Sequence, residues 1–240
     1  MEFDLDNVNL SHYDLKRGLI IPKGTTLKLA YFCGIIIGDG CIYISKTKND
    51  ISCAGHRYDE EEFYKEVISP LFNELFGFYP KLKIFERDNT IGFKLGSKGI
   101  TSFLIKQIGF PPGKKCDSMT IPIIFKESLS LELSILRGIF DTDGCICFKK
   151  RYRNYPYYPV ITIGLKNKAL IKEIAQLLQK LNFKIVELYD YKKIDPRAKL
   201  GYTIINKVEL NGKENLKKWM NVISSYNPKH LKKIKKYWKE

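Results

Sequence analysis

The chain has 240 residues, 44% of them hydrophobic, with 41 Lys+Arg against 26 Asp+Glu, a formal charge of +15. That hydrophobic share excludes a disordered basic arm, and the length suits one large domain or two small ones with a sizeable core. The longest apolar run, Leu29 to Ile37, falls far short of the ~20 residues of a membrane span, and the acidic start Met1-Glu2-Phe3-Asp4 carries no signal-peptide pattern. A soluble cytoplasmic protein with an anionic partner and no membrane contact is expected, and nucleic acid is the commonest such partner.

Residues 1–26 read as an N-terminal leader. Residues 28–38 are apolar at helical spacing and end at Gly40, a candidate C-cap. Cys41 to Lys46 then reads as a strand, Asn49-Asp50 as a turn, and Ile51 to Gly55 as the partner strand. From Asp59 to Phe76 a helix is expected, with Phe63, Val67, Leu71 and Leu75 on one face. Lys81–Phe85 and Thr90–Leu95 read as a hairpin around Asp88-Asn89. A short helix over Ile100–Ile108 ends at Gly109-Phe110-Pro111-Pro112-Gly113. The same order follows again: helix Leu131–Phe140, strands near Cys145–Tyr152 and Val160–Leu165, and helix Lys168–Leu181. Strands near Lys184–Tyr189 and Tyr202–Leu210 and a helix Glu214–Ile223 complete it. The unit is αββαββα, used twice, over residues 27–128 and 129–240, the second ending in a basic C-terminal segment.

Charge divides unevenly between the parts. Residues 1–128 hold 17 basic and 16 acidic side chains, while residues 129–240 hold 24 and 10. Five lysines fall between Lys229 and Lys236, which for any one lysine reads first as a solvated face. The six cysteines form no C-x-x-C pair and have no histidine at zinc-finger spacing, so reduced, buried or half-buried thiols are expected.

The duplication is visible in the residues themselves. Phe32-Cys33-Gly34-Ile35-Ile36-Ile37-Gly38-Asp39-Gly40-Cys41-Ile42 recurs 104 positions later as Leu136-Arg137-Gly138-Ile139-Phe140-Asp141-Thr142-Asp143-Gly144-Cys145-Ile146. Such an offset is too long for a solenoid, whose periods are ~20–50 residues, and implies two similar half-domains. Gly34 and Gly38, and Gly138 and Thr142, are small residues four apart, so two such helices can approach closely. Packed about a pseudo-twofold axis, both helices end side by side with Asp39 and Asp143 at their negative ends. Like charges so placed raise each other's pKa unless a cation lies between them, and a hard divalent ion such as Mg²⁺ suits carboxylate oxygens.

These two motifs resemble those of the LAGLIDADG (dodecapeptide, or DOD-type) homing endonucleases, in the form that carries both on one chain. The segment Gly109-Phe110-Pro111-Pro112-Gly113-Lys114-Lys115 resembles the stretch often found upstream of the second motif, and the likeness covers roughly residues 27–230. It implies an α+β fold of two pseudo-twofold-related αββαββα halves, whose antiparallel sheets form a saddle over DNA. It also implies an intron-homing, site-specific hydrolysis of phosphodiester bonds on both strands, with Mg²⁺ as cofactor and Mn²⁺ as substitute. Asp39 and Asp143 become the catalytic metal-binding acids, one per strand, with Gly38 and Thr142 beside them in the metal site. Family members also place a basic residue near each scissile phosphate. Lys115 (rival Lys114) and Lys229 (rival Lys232) are the candidates here. The first motif departs from the family at Ile37, where an acidic residue is common.

Strand alternation assigns a DNA face. Ile42 and Ile44 should point inward, leaving Tyr43, Ser45 and Thr47 toward the groove with Cys41. Ile146 and Phe148 should point inward in the second half, leaving Lys149, Arg151 and Arg153 toward DNA with Cys145 and Cys147. Lys81, Lys83 and Lys94 alternate with Leu82, Ile84 and Leu95. Because the halves differ, the expected partner is double-stranded DNA with a long, weakly palindromic site, bound by a monomer near the nucleoid. The alternative is an intron maturase with an RNA partner, or a cleavage-deficient DNA-binding regulator. A protein-splicing element is not expected, since the chain begins Met1-Glu2 and ends Trp238-Lys239-Glu240. The Lys- and Ile-rich composition points to a prokaryotic, archaeal source.

Overall fold

The computed structural model describes residues 1–113, 118–150, 157–196 and 198–238. Helix α1 (His12–Lys16) lies in the leader, and helix α2 (Leu27–Gly38) opens the first half. Strands β1 (Gly40–Ile44) and β2 (Asn49–His56) lead into α3 (Arg57–Phe63), a π-helical turn (Tyr64–Ile68) and α4 (Ser69–Phe76). Strands β3 (Leu82–Phe85) and β4 (Thr90–Gly96) and helix α5 (Lys98–Lys106) follow. The second half runs α6 (Leu129–Asp143), β5 (Gly144–Lys149), β6 (Tyr158–Leu165), α7 (Lys168–Lys180), β7 (Ile185–Ile194), β8 (Tyr202–Asn211) and α8 (Lys213–Val222). Helix α9 (Pro228–Tyr237) closes it. Among the described residues the strands form two four-stranded antiparallel sheets, ordered β1-β2-β4-β3 and β5-β6-β8-β7, so the expected α+β duplication is the architecture found. No helix among these residues is long and apolar enough to cross a membrane.

Both sheets are buried on one face only. In the first, Ile42, Ile51, Cys53, Ile91 and Phe93 point into a core shared with α2, α4 and α5. Phe32, Phe72, Phe76 and Phe93 meet there edge-on or tilted at 4.7–5.9 Å, and each fully buried aromatic is worth about 1.5–3 kcal/mol in transfer alone. In the second half Phe140 and Trp219 pack at 4.7 Å, on a core continuous with the first.

Four local readings change. The β1–β2 turn is Ser45–Lys48, not Asn49-Asp50: Ser45 N–H donates to Lys48 O at 2.8 Å and its hydroxyl accepts from Lys48 N–H at 3.1 Å. Ser45 and Thr47 therefore sit in a turn, where strand alternation does not apply. Ile44 and Ile84 are exposed, at 40% and 42%, on β1 and β3, the two edge strands of the sheet. The helix expected over 59–76 is continuous from Arg57 to Phe76 but contains a π turn ahead of Pro70, whose ring cannot sit against the carbonyl four residues back. The lysine-rich C-terminal segment is helix α9: Asn227 caps it, Pro228 is at its first position, and His230 and Ile234 face the core.

The leader is built into the first half. Phe3 N–H donates to Lys23 O at 2.8 Å, Ile20 N–H donates to Phe76 O at 3.0 Å, and the rings of Phe3 and Phe103 meet at 5.2 Å. Asp14, fully buried, accepts from the Ser97 hydroxyl and from the N–H groups of Gly99 and Ser11. Burial alone would raise its pKa, but these bonds, with the Ser11 hydroxyl, hold the carboxyl below its usual range.

Candidate functional site

Helices α2 and α6 cross at their small residues. A Cβ on Gly34 would lie 2.9 Å from the Gly138 Cα, and one on Gly138 would lie 2.8 Å from the Gly34 Cα. No side chain fits between, so the backbones touch as the spacing requires. One turn further on, a Cβ on Gly38 would meet the Thr142 Cβ at 2.8 Å and the Asp143 Oδ2 at 3.2 Å. The Asp143 carboxylate thus lies against the end of α2. The Thr142 hydroxyl turns back to the carbonyls of Gly138 and Ile139 at 3.0 Å. Asp39 is the C-cap of α2, its N–H donating to Ile35 O at 3.0 Å, and Asp143 is the last residue of α6. The glycines after them open β1 and β5; Gly40 is a strand residue rather than the cap.

The two acids have different surroundings. Asp39 is half-buried, and the buried Tyr64 hydroxyl donates to its Oδ2 at 3.4 Å while lying 3.3 Å from the Cys53 Sγ. Burial first, then the neighbouring Cys53 and Asp39, pushes the Tyr64 pKa far upward, so the phenol remains a donor. Tyr64 was not singled out in the sequence, where a tyrosine in an amphipathic helix reads as core. Asp143 is exposed and lines a cavity of about 150 Å³ with Ile37, Gly38, Met119, Leu165, Lys166, Asn167 and Leu170.

Behind the second motif lies a buried polar network. Asp141 accepts from the Tyr31 hydroxyl at 2.7 Å, the Tyr226 N–H at 2.8 Å and the Ser225 hydroxyl. Burial raises its pKa to about 6 despite these donors. Asn227 Nδ2 donates to Asp141 O at 2.7 Å. Lys229 donates at 2.6 Å to Glu60, a 4%-exposed carboxylate of α3 that also accepts from His56 N–H at 2.7 Å. Lys232 pairs with Glu62. The second-half lysine candidates are therefore both engaged by first-half carboxylates. Lys114 and Lys115 lie outside the described residues.

Sheet register puts Cys41, Ser52 and Lys94 in one cross-strand row, and Ala54, Gly92 and Lys83 in the next. Tyr43, Lys81, Lys83 and Lys94 are exposed, with Lys94 3.5 Å from Asp50. Lys149 is exposed in the second sheet beside Cys147 on the strand face opposite Ile146. Arg151 and Arg153 lie outside the described residues. The thiols are more exposed than expected: Cys41 and Cys147 are on the surface, Cys145 is half-buried, and Cys33 and Cys53 are buried.

Residues 130–223 match the family model of the LAGLIDADG-like domain. A curated relative, the isomerizing glutamine–fructose-6-phosphate aminotransferase of Methanocaldococcus jannaschii, is 29% identical over 168 residues. That stretch is 70% of this chain, and the chain spans only 14% of the relative's length. Among solved structures, I-DmoI in complex with DNA and Mn is similar at a TM-score of 0.52 and 18% identity, over 82% of this chain and 96% of that one. I-WcaI bound to its DNA recognition sequence is similar at 0.56 and 15%, over 97% and 96%. The I-LtrWI LAGLIDADG homing endonuclease bound to target DNA is similar at 0.53 and 14%, over 88% of each. At these identities the likeness establishes the fold. Residues 130–223 thus carry a LAGLIDADG-like domain, the motif at its start is repeated in the first half, and the fold of the chain is that of these single-chain structures.

Proposed function

We propose that the protein is a site-specific double-strand DNA endonuclease, acting as a monomer on a long, weakly palindromic site in the cytoplasm. The observation that carries this reading is the placement of two carboxylates, Asp39 and Asp143, at the C-terminal ends of two closely packed helices, with the Gly38 backbone against the Asp143 carboxylate. A binding module needs no such pair beneath a phosphate. The monomer follows from the crossing itself, since one chain supplies both motif helices. Similarity to a Methanocaldococcus jannaschii protein supports the archaeal source.

The donor set fits a hard divalent cation. Asp39 and Asp143 offer carboxylate oxygens, and Gly38 and Thr142 offer backbone carbonyls at the two helix ends. Carboxylate and carbonyl oxygens suit Mg²⁺, an ion that keeps several of its waters, with Mn²⁺ as substitute. Related structures described with Mn and with Mg support that choice. A divalent ion there supplies charge neutralisation at the phosphate and a more acidic water. The chain's own residues do the rest. Tyr64 orients the Asp39 carboxylate. Tyr43, Lys83 and Lys94, in three rows on the exposed face of one sheet, and Lys149 in the other, face the duplex, with Ser45, Thr47, Lys81, Arg151 and Arg153 as further contacts. Lys115 and Lys229 are the basic groups proposed for the phosphates. Lys229 is held by Glu60, so its ammonium is pre-positioned and would share its charge between carboxylate and phosphate.

A cleavage-site selection from a DNA library with Mg²⁺ tests the reading, with Asp39→Asn and Asp143→Asn as controls. The expected result is a specific double-strand cut, lost in both variants by about 10²–10³ in rate, while duplex binding is retained. A wild type that binds one site and never nicks it overturns the nuclease and leaves the maturase or regulator.

A further inference from the structure

Strand β5 carries chemistry that the nuclease reading does not use. Cys145 and Cys147 are two residues apart in a strand, so their side chains leave the same face. Their sulfurs are 3.2 Å apart, Cys147 is exposed and Cys145 half-exposed, and Lys149 follows on the same face. The first half supplies a built-in contrast. Cys41 stands at the position matching Cys145 and is exposed, but Tyr43 stands where Cys147 would be. The pairing is thus a property of the second half.

We propose that Cys145 and Cys147 form a redox-sensitive dithiol, oxidised reversibly to an intramolecular disulfide that weakens duplex binding. The oxidant class is a small disulfide such as oxidised glutathione. The exposed Cys147 thiolate attacks one sulfur of the reagent, forming a mixed disulfide and releasing one thiolate. The Cys145 thiolate then attacks the Cys147 sulfur, forming the Cys145–Cys147 bond and releasing the second. The protein loses two electrons and two protons, and the reagent gains both as two thiols. Two residues along a strand span ~6.4–6.8 Å, the upper end of the ~4.4–6.8 Å Cα separation that a disulfide bridges. The sulfurs must also close from 3.2 Å to a bond of ~2.05 Å. Closure therefore draws β5 in between Asp143 and Lys149, each two residues from one of the cysteines. The effect on DNA rests on the proposed nuclease reading; the disulfide itself does not.

The test uses the full chain, the Cys41→Ser variant, and a Cys41→Ser variant that also carries Cys145→Ser and Cys147→Ser. After oxidised glutathione, proteolysis and mass spectrometry, the peptide holding Cys145 and Cys147 should lose two hydrogens, retain no glutathione, and recover with dithiothreitol. Cys41 should instead keep its glutathione. Stable glutathione on both Cys145 and Cys147, or no reaction there while Cys41 reacts, overturns the dithiol. For the second arm, binding to a mixed-sequence duplex is followed by fluorescence anisotropy. Oxidation should weaken it about fivefold in Cys41→Ser, and leave Cys41→Ser with Cys145→Ser and Cys147→Ser the same before and after treatment. A disulfide that forms without changing binding overturns the regulatory half. If the reduced protein binds no duplex, the nuclease reading fails, and the mass shift still decides the dithiol.

Discussion

The two halves solve one mechanical problem with different chemistry. In each, the segment after the last helix of the unit crosses over and docks on the other half. After α5, the Met119 carbonyl accepts from Asn167 Nδ2 at 2.6 Å, Ile121 N–H donates to Glu173 at 2.9 Å, and Lys126 pairs with Glu173 at 2.9 Å. All those partners belong to the start or body of α7. After α8, the Tyr226 ring meets Tyr31 of α2 at 5.1 Å, Asn227 and Lys229 bond Glu60 of α3, and Ser225 and Tyr226 bond Asp141 of α6. Arg137 adds its guanidinium over the Tyr226 ring at 4.5 Å. The motif position that carries Asp141 in one half carries Ile37 in the other, where it lines the cavity beside Met119. Duplicated geometry therefore does not require duplicated residues. The apolar first-half position needs no charge because amides and a more exposed pair hold its crossing segment, whereas the second half buries an ionisable group to do so.

Predictions that sharpen this contrast run from large to small. The helix crossing is symmetric, so Gly34→Val and Gly138→Val should destabilise alike, by about 3 kcal/mol or more, since each Cβ meets backbone. Thermal melts of the two variants check this, and a tolerated valine on either side would break the pseudo-symmetry argument. The next effect is confined to the second half. Asp141 has a raised pKa of about 6, so its contribution is full below its ordinary value of 3.8 and is lost as pH rises through 6. That window is worth roughly 3 kcal/mol. Denaturant midpoints between pH 4 and 7 should show the decline, and Asp141→Asn should flatten it while lowering stability overall.

His230 tilts stability the other way. Its ring is buried and stacked on Phe140 at 4.7 Å, and burial, then Lys229 and Lys233, push its pKa down to about 3. Its contribution is present above 6.5 and lost as pH falls toward 3. The smallest contrast separates the two ion pairs. Lys229→Gln leaves the buried Glu60 without its cation and should cost about 1–3 kcal/mol. Lys126→Gln releases the more exposed Glu173 and should cost under about 1 kcal/mol. Urea titrations of both variants decide whether the second crossing is the more dependent on charge.

Much of this molecule is local and so was readable from the chain. Helical and strand periods, the repeated motif, and two aspartates at the ends of two glycine-bearing helices follow from spacing alone. Where spacing runs out, the readings shifted. The first long helix takes a π turn ahead of a proline, a serine makes the first hairpin turn, and a lysine run is a capped amphipathic helix seated on α3 and β5. What tertiary structure alone decided is which polar groups meet. Tyr31 and Asp141 are 110 residues apart, and Glu60 and Lys229 are 169 apart. Their pairing depends on two halves crossing at Gly34 and Gly138, and no periodicity in either segment names a partner in the other. Burial then sets their chemistry, since the same carboxylate titrates near its ordinary value in water and near 6 when enclosed.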